Sequence, residues 1–207
     1  MENKKLSTRA LTGMALMTAI VVILQFLGAF VRFGPFSISL VLIPIVVGAA
    51  LYGPLAGAWF GFVFGMVVLL SGDAGAFLVV SPIGTILTVL LKGALAGYCA
   101  GLVYRLLSRA GSQQQSGAQG KHGVDPAVIA SAIVCPVVNT GIFLLGCLLF
   151  FMPTIRGWAE GMGFESVGKY MIFGLVGGNF LFELLFNIVL SPIIVRLIQL
   201  GSSHKNA

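Results

Sequence analysis

The apolar run at residues 82–107 limits the possible folds of this chain more than any other feature. It is long enough to cross a bilayer as one helix, yet it carries Lys92 near its middle. A charge at that depth is costly unless it has a partner or water, so it indicates a functional site. Thr85, Thr88 and Lys92 recur at helical spacing and share one face of the predicted helix.

Glycines mark the places where neighbouring helices can approach closely. In residues 82–107 they recur at every fourth position beside the polar face: Gly93, Gly97 and Gly101. A second ladder with the same spacing runs through the third apolar run: Gly53, Gly57, Gly61 and Gly65. Small residues at this spacing allow two backbones to touch inside a membrane.

Composition identifies the class of protein. Hydrophobic residues make up 58% of the 207 residues and charged residues only 9%, too few charges to cover a soluble surface. The net charge of +6 indicates basic flanks that meet anionic lipid in the bilayer, with no nucleic-acid partner expected. The three cysteines lie in apolar runs without metal-binding spacing, so no metal or cofactor is expected.

The apolar runs predict an all-α integral membrane protein with a single domain of six transmembrane helices. The predicted spans are about 10–31, 37–52, 55–70, 82–107, 126–151 and 170–200. Between the fourth and fifth, residues 111–125 are rich in Gly, Gln and Ser and predict a flexible cytoplasmic linker.

Basic residues predict the orientation of the spans. Eight of the twelve lie on the side of the two termini: Lys4, Lys5, Arg9, Arg105, Arg109, Lys121, Arg196 and Lys205. Three lie on the other side, in or near the loops: Arg32, Arg156 and Lys169. This bias predicts that both termini are cytoplasmic.

Four polar residues on three spans fall near one depth. At about 1.5 Å per residue, Lys92, Asn139, Asn179 and Glu183 all lie near the midplane. Two interpretations are open. In the first, Lys92 and Glu183 form an ion pair that locks the bundle, and the asparagines form hydrogen bonds between helices. Alternatively, the group lines an outward-facing pocket for a small polar ligand.

Enzyme motifs are not found in the sequence. HExxH, GxSxG and CxxC do not occur, and GFESVGKY (163–170) has Tyr170 where a phosphate-binding loop needs Ser or Thr. The chain is therefore expected to be no enzyme. Energy for transport would come from an ion gradient or from a partner protein.

The order of signals resembles the substrate-binding (S) components of energy-coupling factor (ECF) vitamin transporters. The resemblance covers roughly residues 10–200 and is carried by the stretches 34–65, 92–107 and 179–198, with the Asn139-Thr140 pair. Within that family the sequence is most similar to the pantothenate-type group. That group often has a basic residue at the position of Lys92. The linker at 111–125 is a departure from the family pattern.

The resemblance implies partners and residue roles. The partners would be a transmembrane coupling protein and two cytoplasmic ATPases, in a bacterial cell membrane. From spacing alone, Ala15 and Ala19 favour ordinary packing within the chain, but they match the family motif that docks on the coupling protein.

The ligand would be a vitamin, with pantothenate favoured, and Lys92 would meet its carboxylate. Asn139, Asn179 and Glu183 would hydrogen-bond its polar groups, with Thr88 on the same face as Lys92. Arg32, Phe36 and Trp158 would help to close the pocket. Two other functions stay open: a stand-alone ion- or proton-coupled permease with Glu183 as the proton carrier, and a membrane scaffold without a ligand.

Overall fold

Helices make up nearly all of the part of the chain that the computed structural model describes, which is residues 8–29, 32–33, 36–37, 40–114 and 125–206. In the first half they are α1 (Thr8–Ala29), α2 (Leu42–Tyr52), α3 (Pro54–Leu70), α4 (Gly75–Leu78) and α5 (Pro82–Gln114). In the second half they are α6 (Pro126–Phe150), α7 (Met152–Gly161), α8 (Val167–Lys169), a π-helical segment (Tyr170–Gly177), α9 (Gly178–Val189) and α10 (Ser191–Asn206). Two short strands, β1 (Arg32–Phe33) and β2 (Phe36–Ser37), pair in antiparallel fashion between α1 and α2.

Four helical segments in the described residues are long and apolar enough to cross a membrane: Thr8–Ala29, Pro82–Ala110, Pro126–Phe150 and Val167–Val189. The helices α2 and α3 are apolar but shorter. The chain is therefore an all-helical, multi-pass membrane protein apart from the small hairpin. The count of six spans and the cytoplasmic position of both termini stay predictions.

Several boundaries differ from the sequence-based expectation. The helix α2 begins at Leu42 and not near residue 37, because residues 36–37 pair with β1. The helix α5 continues to Gln114, into the stretch expected to be an unstructured linker. Glutamine is a good helix former, so the helix can extend beyond the apolar run. Residues 115–124 lie outside the described part of the chain.

The last two segments are also more structured than expected. Residues 152–169, expected to be a loop, contain α7 and α8. The final span is not one helix, because a turn at Leu190 separates α9 from α10. Pro192 lies in the first turn of α10, where its missing N–H breaks no helical hydrogen bond.

The two glycine ladders meet each other, so each lies at a close helix contact, as their spacing predicts. A Cβ atom added to Gly61 would collide with the carbonyl oxygen of Gly93, and one added to Gly57 would collide with that of Gly97. We call this contact the glycine seam. It holds the backbones of α3 and α5 against each other, next to Lys92.

The helix α6 is fixed at its start and along its length. Asp125 caps it by accepting a hydrogen bond from the Ala127 N–H (2.9 Å). The buried Ser131 hydroxyl lies 3.0 Å from the carbonyl oxygen of Ala100 on α5. The helix α5 thus packs against α3 on one side and α6 on the other.

Two apolar clusters make up the core. The larger joins α1, α2, α3, α5, α6 and α10 around Phe60 and Phe64. The smaller joins the segment between α3 and α5 to α6, α7 and the π-helical segment, around Phe77 and Phe151. The π-helical segment leads directly into α9, and π-helical turns occur frequently at functional sites.

Candidate functional site

A cavity lies where the two apolar clusters meet. Its walls include Phe64 from the larger cluster and Phe77 and Phe151 from the smaller one. The lining surrounds about 790 Å³ of space free of protein atoms, counted with its open mouth. Its lining combines apolar walls with a few polar groups, as small-molecule sites do.

Lys92 reaches this cavity between two aromatic rings. Its Nζ atom lies 5.6 Å from the centre of the Phe64 ring and 5.4 Å from that of Phe143. Cation–π contacts of this length stabilise an ammonium group. Glu183, and then Asp73, are the carboxylates whose charges act most strongly on it.

The sequence left open whether Lys92 is locked by Glu183. Among the described residues, the ion pair that the structure defines joins two exposed side chains, Lys169 and Glu165. Lys92 is in no ion pair within that part of the chain. Its ammonium is therefore held by the two rings and can still accept an anion as a third partner.

Two amide–carboxylate pairs stand on the cavity wall. The Gln25 side-chain N–H donates to Asp73 (2.9 Å), which joins α1 to the segment between α3 and α4. The Asn179 side-chain N–H donates to Glu183 (3.2 Å) within α9. All four residues line the cavity, and Gln25 and Glu183 are almost fully buried.

Several buried oxygen atoms on the lining have no hydrogen-bond partner among the described residues. They are Oε1 of Gln25, Oγ1 of Thr88, Oδ1 of Asn139 and Oδ1 of Asn179. Buried polar atoms in native proteins nearly always have a partner, in the protein or in bound molecules. Four such atoms around one cavity are positions at which water or a ligand can supply the missing partner.

Phe77 forms one wall of the cavity from the segment before α5. Its ring makes edge-to-face contacts with Phe143 (5.5 Å), Phe151 (5.0 Å) and Trp158 (5.5 Å). Trp158, on α7, supports this ring but does not itself line the cavity. The aromatic contacts therefore connect α4, α6 and α7 at one end of the cavity.

The predicted site residues fall into four groups. Five line the cavity together: Lys92, Thr88, Asn139, Asn179 and Glu183. Trp158 contacts the lining residue Phe77 without lining the cavity itself. The side chains of Arg32 and Phe36 lie outside the described part of the chain. Ala15 and Ala19 are exposed on α1, away from the cavity.

Sequence reasoning did not assign Gln25, Asp73 or the aromatic walls to the site. Gln25 carried a signal, since it is a polar residue in an otherwise apolar run. Asp73 pairs with a residue 48 positions earlier, and this tertiary contact leaves no pattern in the sequence. Phe64 and Phe143 resemble any other core aromatic in sequence.

The fold and the cavity together define a membrane protein with a partly polar cavity among its helices. A family model for the ECF transporter substrate-specific component matches residues 9–198. The match spans most of the chain, which therefore belongs to this family of transporter subunits. No curated protein and no solved structure matches the chain.

Proposed function

We propose that the chain captures a small vitamin-like carboxylate at the outer face of a bacterial cell membrane, with pantothenate as the favoured ligand. It then delivers the ligand inward with an ECF coupling protein and two cytoplasmic ATPases. The observation that carries this proposal is the Lys92 ammonium, held between Phe64 and Phe143 inside the cavity.

A carboxylate is the group that this ammonium fits best. The rings of Phe64 and Phe143 hold Lys92 without neutralising it, so a ligand anion would supply a charge-assisted hydrogen bond. Asn139, Asn179 and Glu183 would hydrogen-bond the remaining polar groups. The aromatic walls would cover the apolar part of the ligand.

The outward orientation agrees with the position of the cavity in the chain. Asp73 and Phe77 line it from residues 71–81, between the predicted third and fourth spans. The carboxyl-terminal half of α1, predicted to be the outer half, contributes Gln25. With both termini cytoplasmic, as the basic residues predict, these residues belong to the outer side, so the mouth of the cavity would face outward.

Titration of the purified chain tests the ligand assignment. We expect binding of pantothenate and much weaker binding of panthenol, in which a hydroxymethyl group replaces the carboxylate. Loss of one partner of a buried charge pair costs about 2–5 kcal/mol, so Lys92→Met should weaken pantothenate binding roughly 30-fold or more. Lys169→Met is the matched control, because that lysine is exposed. Unchanged binding to Lys92→Met would overturn the assignment.

The docking assignment has its own test. Ala15 and Ala19 are exposed on α1, which leaves the small-residue face open to another helix. The double substitution to Leu should prevent co-purification with the coupling protein and leave ligand binding intact. Leu16→Trp adds bulk on the same exposed helix and should not prevent it. Intact assembly of the double variant would contradict this docking face.

A proton-coupled permease is the second candidate, because Glu183 is buried and lines the same cavity as Lys92. Proteoliposomes that contain only this chain discriminate between the two functions. Ligand accumulation driven by a pH gradient would favour the permease. If the purified chain bound no member of a panel of vitamins, the scaffold function would be favoured.

A further inference from the structure

We infer that the cavity selects ligands with hydrogen-bond donors in addition to the group that meets Lys92, and that Asp73 and Glu183 impose this preference by orienting two amides. This inference rests on the proposed ligand-binding role of the cavity and specifies the class of substrate. The two amide–carboxylate pairs, Gln25–Asp73 and Asn179–Glu183, are the observation that carries it.

Each carboxylate determines which way its amide points. An ionised carboxylate only accepts hydrogen bonds, so the amide must offer it the NH₂ group. The carbonyl oxygens of Gln25 and Asn179 are then turned away from the carboxylates. Both oxygens are buried and have no hydrogen-bond partner among the described residues, and both residues line the cavity.

Asn139 and Thr88 add further polar atoms to the lining. Asn139 contributes a third amide oxygen that is buried without a partner in the described part of the chain. The Thr85 hydroxyl is already used, because it donates to the Ser81 carbonyl oxygen (2.8 Å). Thr88 can donate or accept, since its hydroxyl has no partner among the described residues.

Three buried amide oxygens without a partner among the described residues therefore stand on this lining, beside one ammonium group. These acceptors come from α1, α6 and α9, so they surround the cavity from different sides. A ligand that brings hydroxyl or amide N–H groups would satisfy them. A ligand of the same shape without donors would leave them buried and unpaired, and sites of this kind discriminate strongly against such analogues.

Matched ligand pairs test the preference, because both members keep the carboxylate. The first pair is pantothenate and its analogue in which hydrogen replaces both hydroxyls. The second pair is biotin, with two ureido N–H groups, and lipoate, which has the same carboxylate tail and no other donor. For any pair that shows binding, we expect the member with donors to bind at least about 10-fold more tightly than the member without them. This factor is roughly the effect of one unpaired buried acceptor.

The Asp73→Asn variant tests the role of the carboxylate. An amide at this position can donate or accept, so Gln25 is no longer forced to present its oxygen. We expect the affinity ratio within each pair to fall several-fold, whereas loss of structure alone would weaken both members alike. Thermal unfolding of the variant checks its fold.

The outcomes separate this inference from the proposed function. Equal affinity for both members of the pairs would overturn the inference, even if pantothenate still binds more tightly than panthenol. Lys92→Met should weaken both members and leave their ratio unchanged. Binding of no member by the wild-type chain would overturn the inference and the proposed function together.

Discussion

The glycine seam predicts a graded response to Gly→Ala substitution. At Gly65, an added Cβ would lie 2.8 Å from the Val89 carbonyl oxygen and 3.2 Å from the Leu90 Cα atom. Ordinary contact begins at 3.4 Å, so α3 and α5 must separate locally by about 0.6 Å. At Gly61, the added atom would collide with the carbonyl oxygen of Gly93, which is backbone and cannot rotate away.

Two opposing contributions set the change in the free energy of unfolding. Overpacking typically costs about 1–3 kcal/mol, while replacing a helical glycine by alanine gains about 0.5–1 kcal/mol. For Gly65→Ala we therefore expect a net loss of roughly 0.5–2 kcal/mol. Gly61→Ala should lose more. Gly141 on α6 has no atom within 4 Å of an added Cβ, so Gly141→Ala should gain stability.

Thermal unfolding in one detergent measures all three variants. For a chain of this length, 1 kcal/mol shifts Tm by about 2–4 °C, so Gly65→Ala should lower Tm by about 1–8 °C. We expect Tm to fall in the order Gly141→Ala, wild type, Gly65→Ala and Gly61→Ala. A Gly61→Ala variant as stable as the Gly141→Ala variant would refute the direct backbone contact.

Three further substitutions test other contacts. Trp158→Ala removes the ring that supports Phe77, and such a ring contact stabilises by about 0.5–1.5 kcal/mol beyond the burial of its area. Ligand binding should therefore weaken several-fold in a titration. Complete loss of binding would mean that Trp158 touches the ligand. Gly146→Val would collide with the Thr88 side chain, so binding should weaken at least about 10-fold, and normal affinity would argue against the α5–α6 packing. Trp59→Phe deletes the 3.2 Å hydrogen bond to Thr18. It should lower Tm by only a few degrees, since one such bond contributes about 1 kcal/mol. A larger fall in Tm would show that the packing of α1 against α3 depends on this bond.

The sequence contained enough information to predict which polar residues face one space. Lys92, Asn139, Asn179 and Glu183 each interrupt an apolar run, and the helical rise sets their depth. All four line one cavity, while their role in binding stays a prediction. The glycine ladders were equally readable, because small residues at spacing four have a direct packing consequence.

Features that depend on tertiary contacts could not be derived in this way. The Gln25–Asp73 hydrogen bond joins a helix to a loop, and no periodic pattern connects them. The position of Lys92 between Phe64 and Phe143 depends on how three helices are rotated. Residues 152–161 lack the length of a span, so an expectation based on apolar runs missed α7.

The π-helical segment affects how the length of the chain can change. A π-helix holds more residues per turn than an α-helix, so it accommodates what amounts to an inserted residue. Removal of one residue from Tyr170–Gly177 could tighten the segment into an α-helix, while α9 keeps its register. Asn179 and Glu183 would then still face Lys92. A deletion between Asn179 and Glu183 would instead rotate these two residues away from each other. We therefore expect the chain to tolerate a change in length in the π-helical segment, before the site, and not between the site residues of α9.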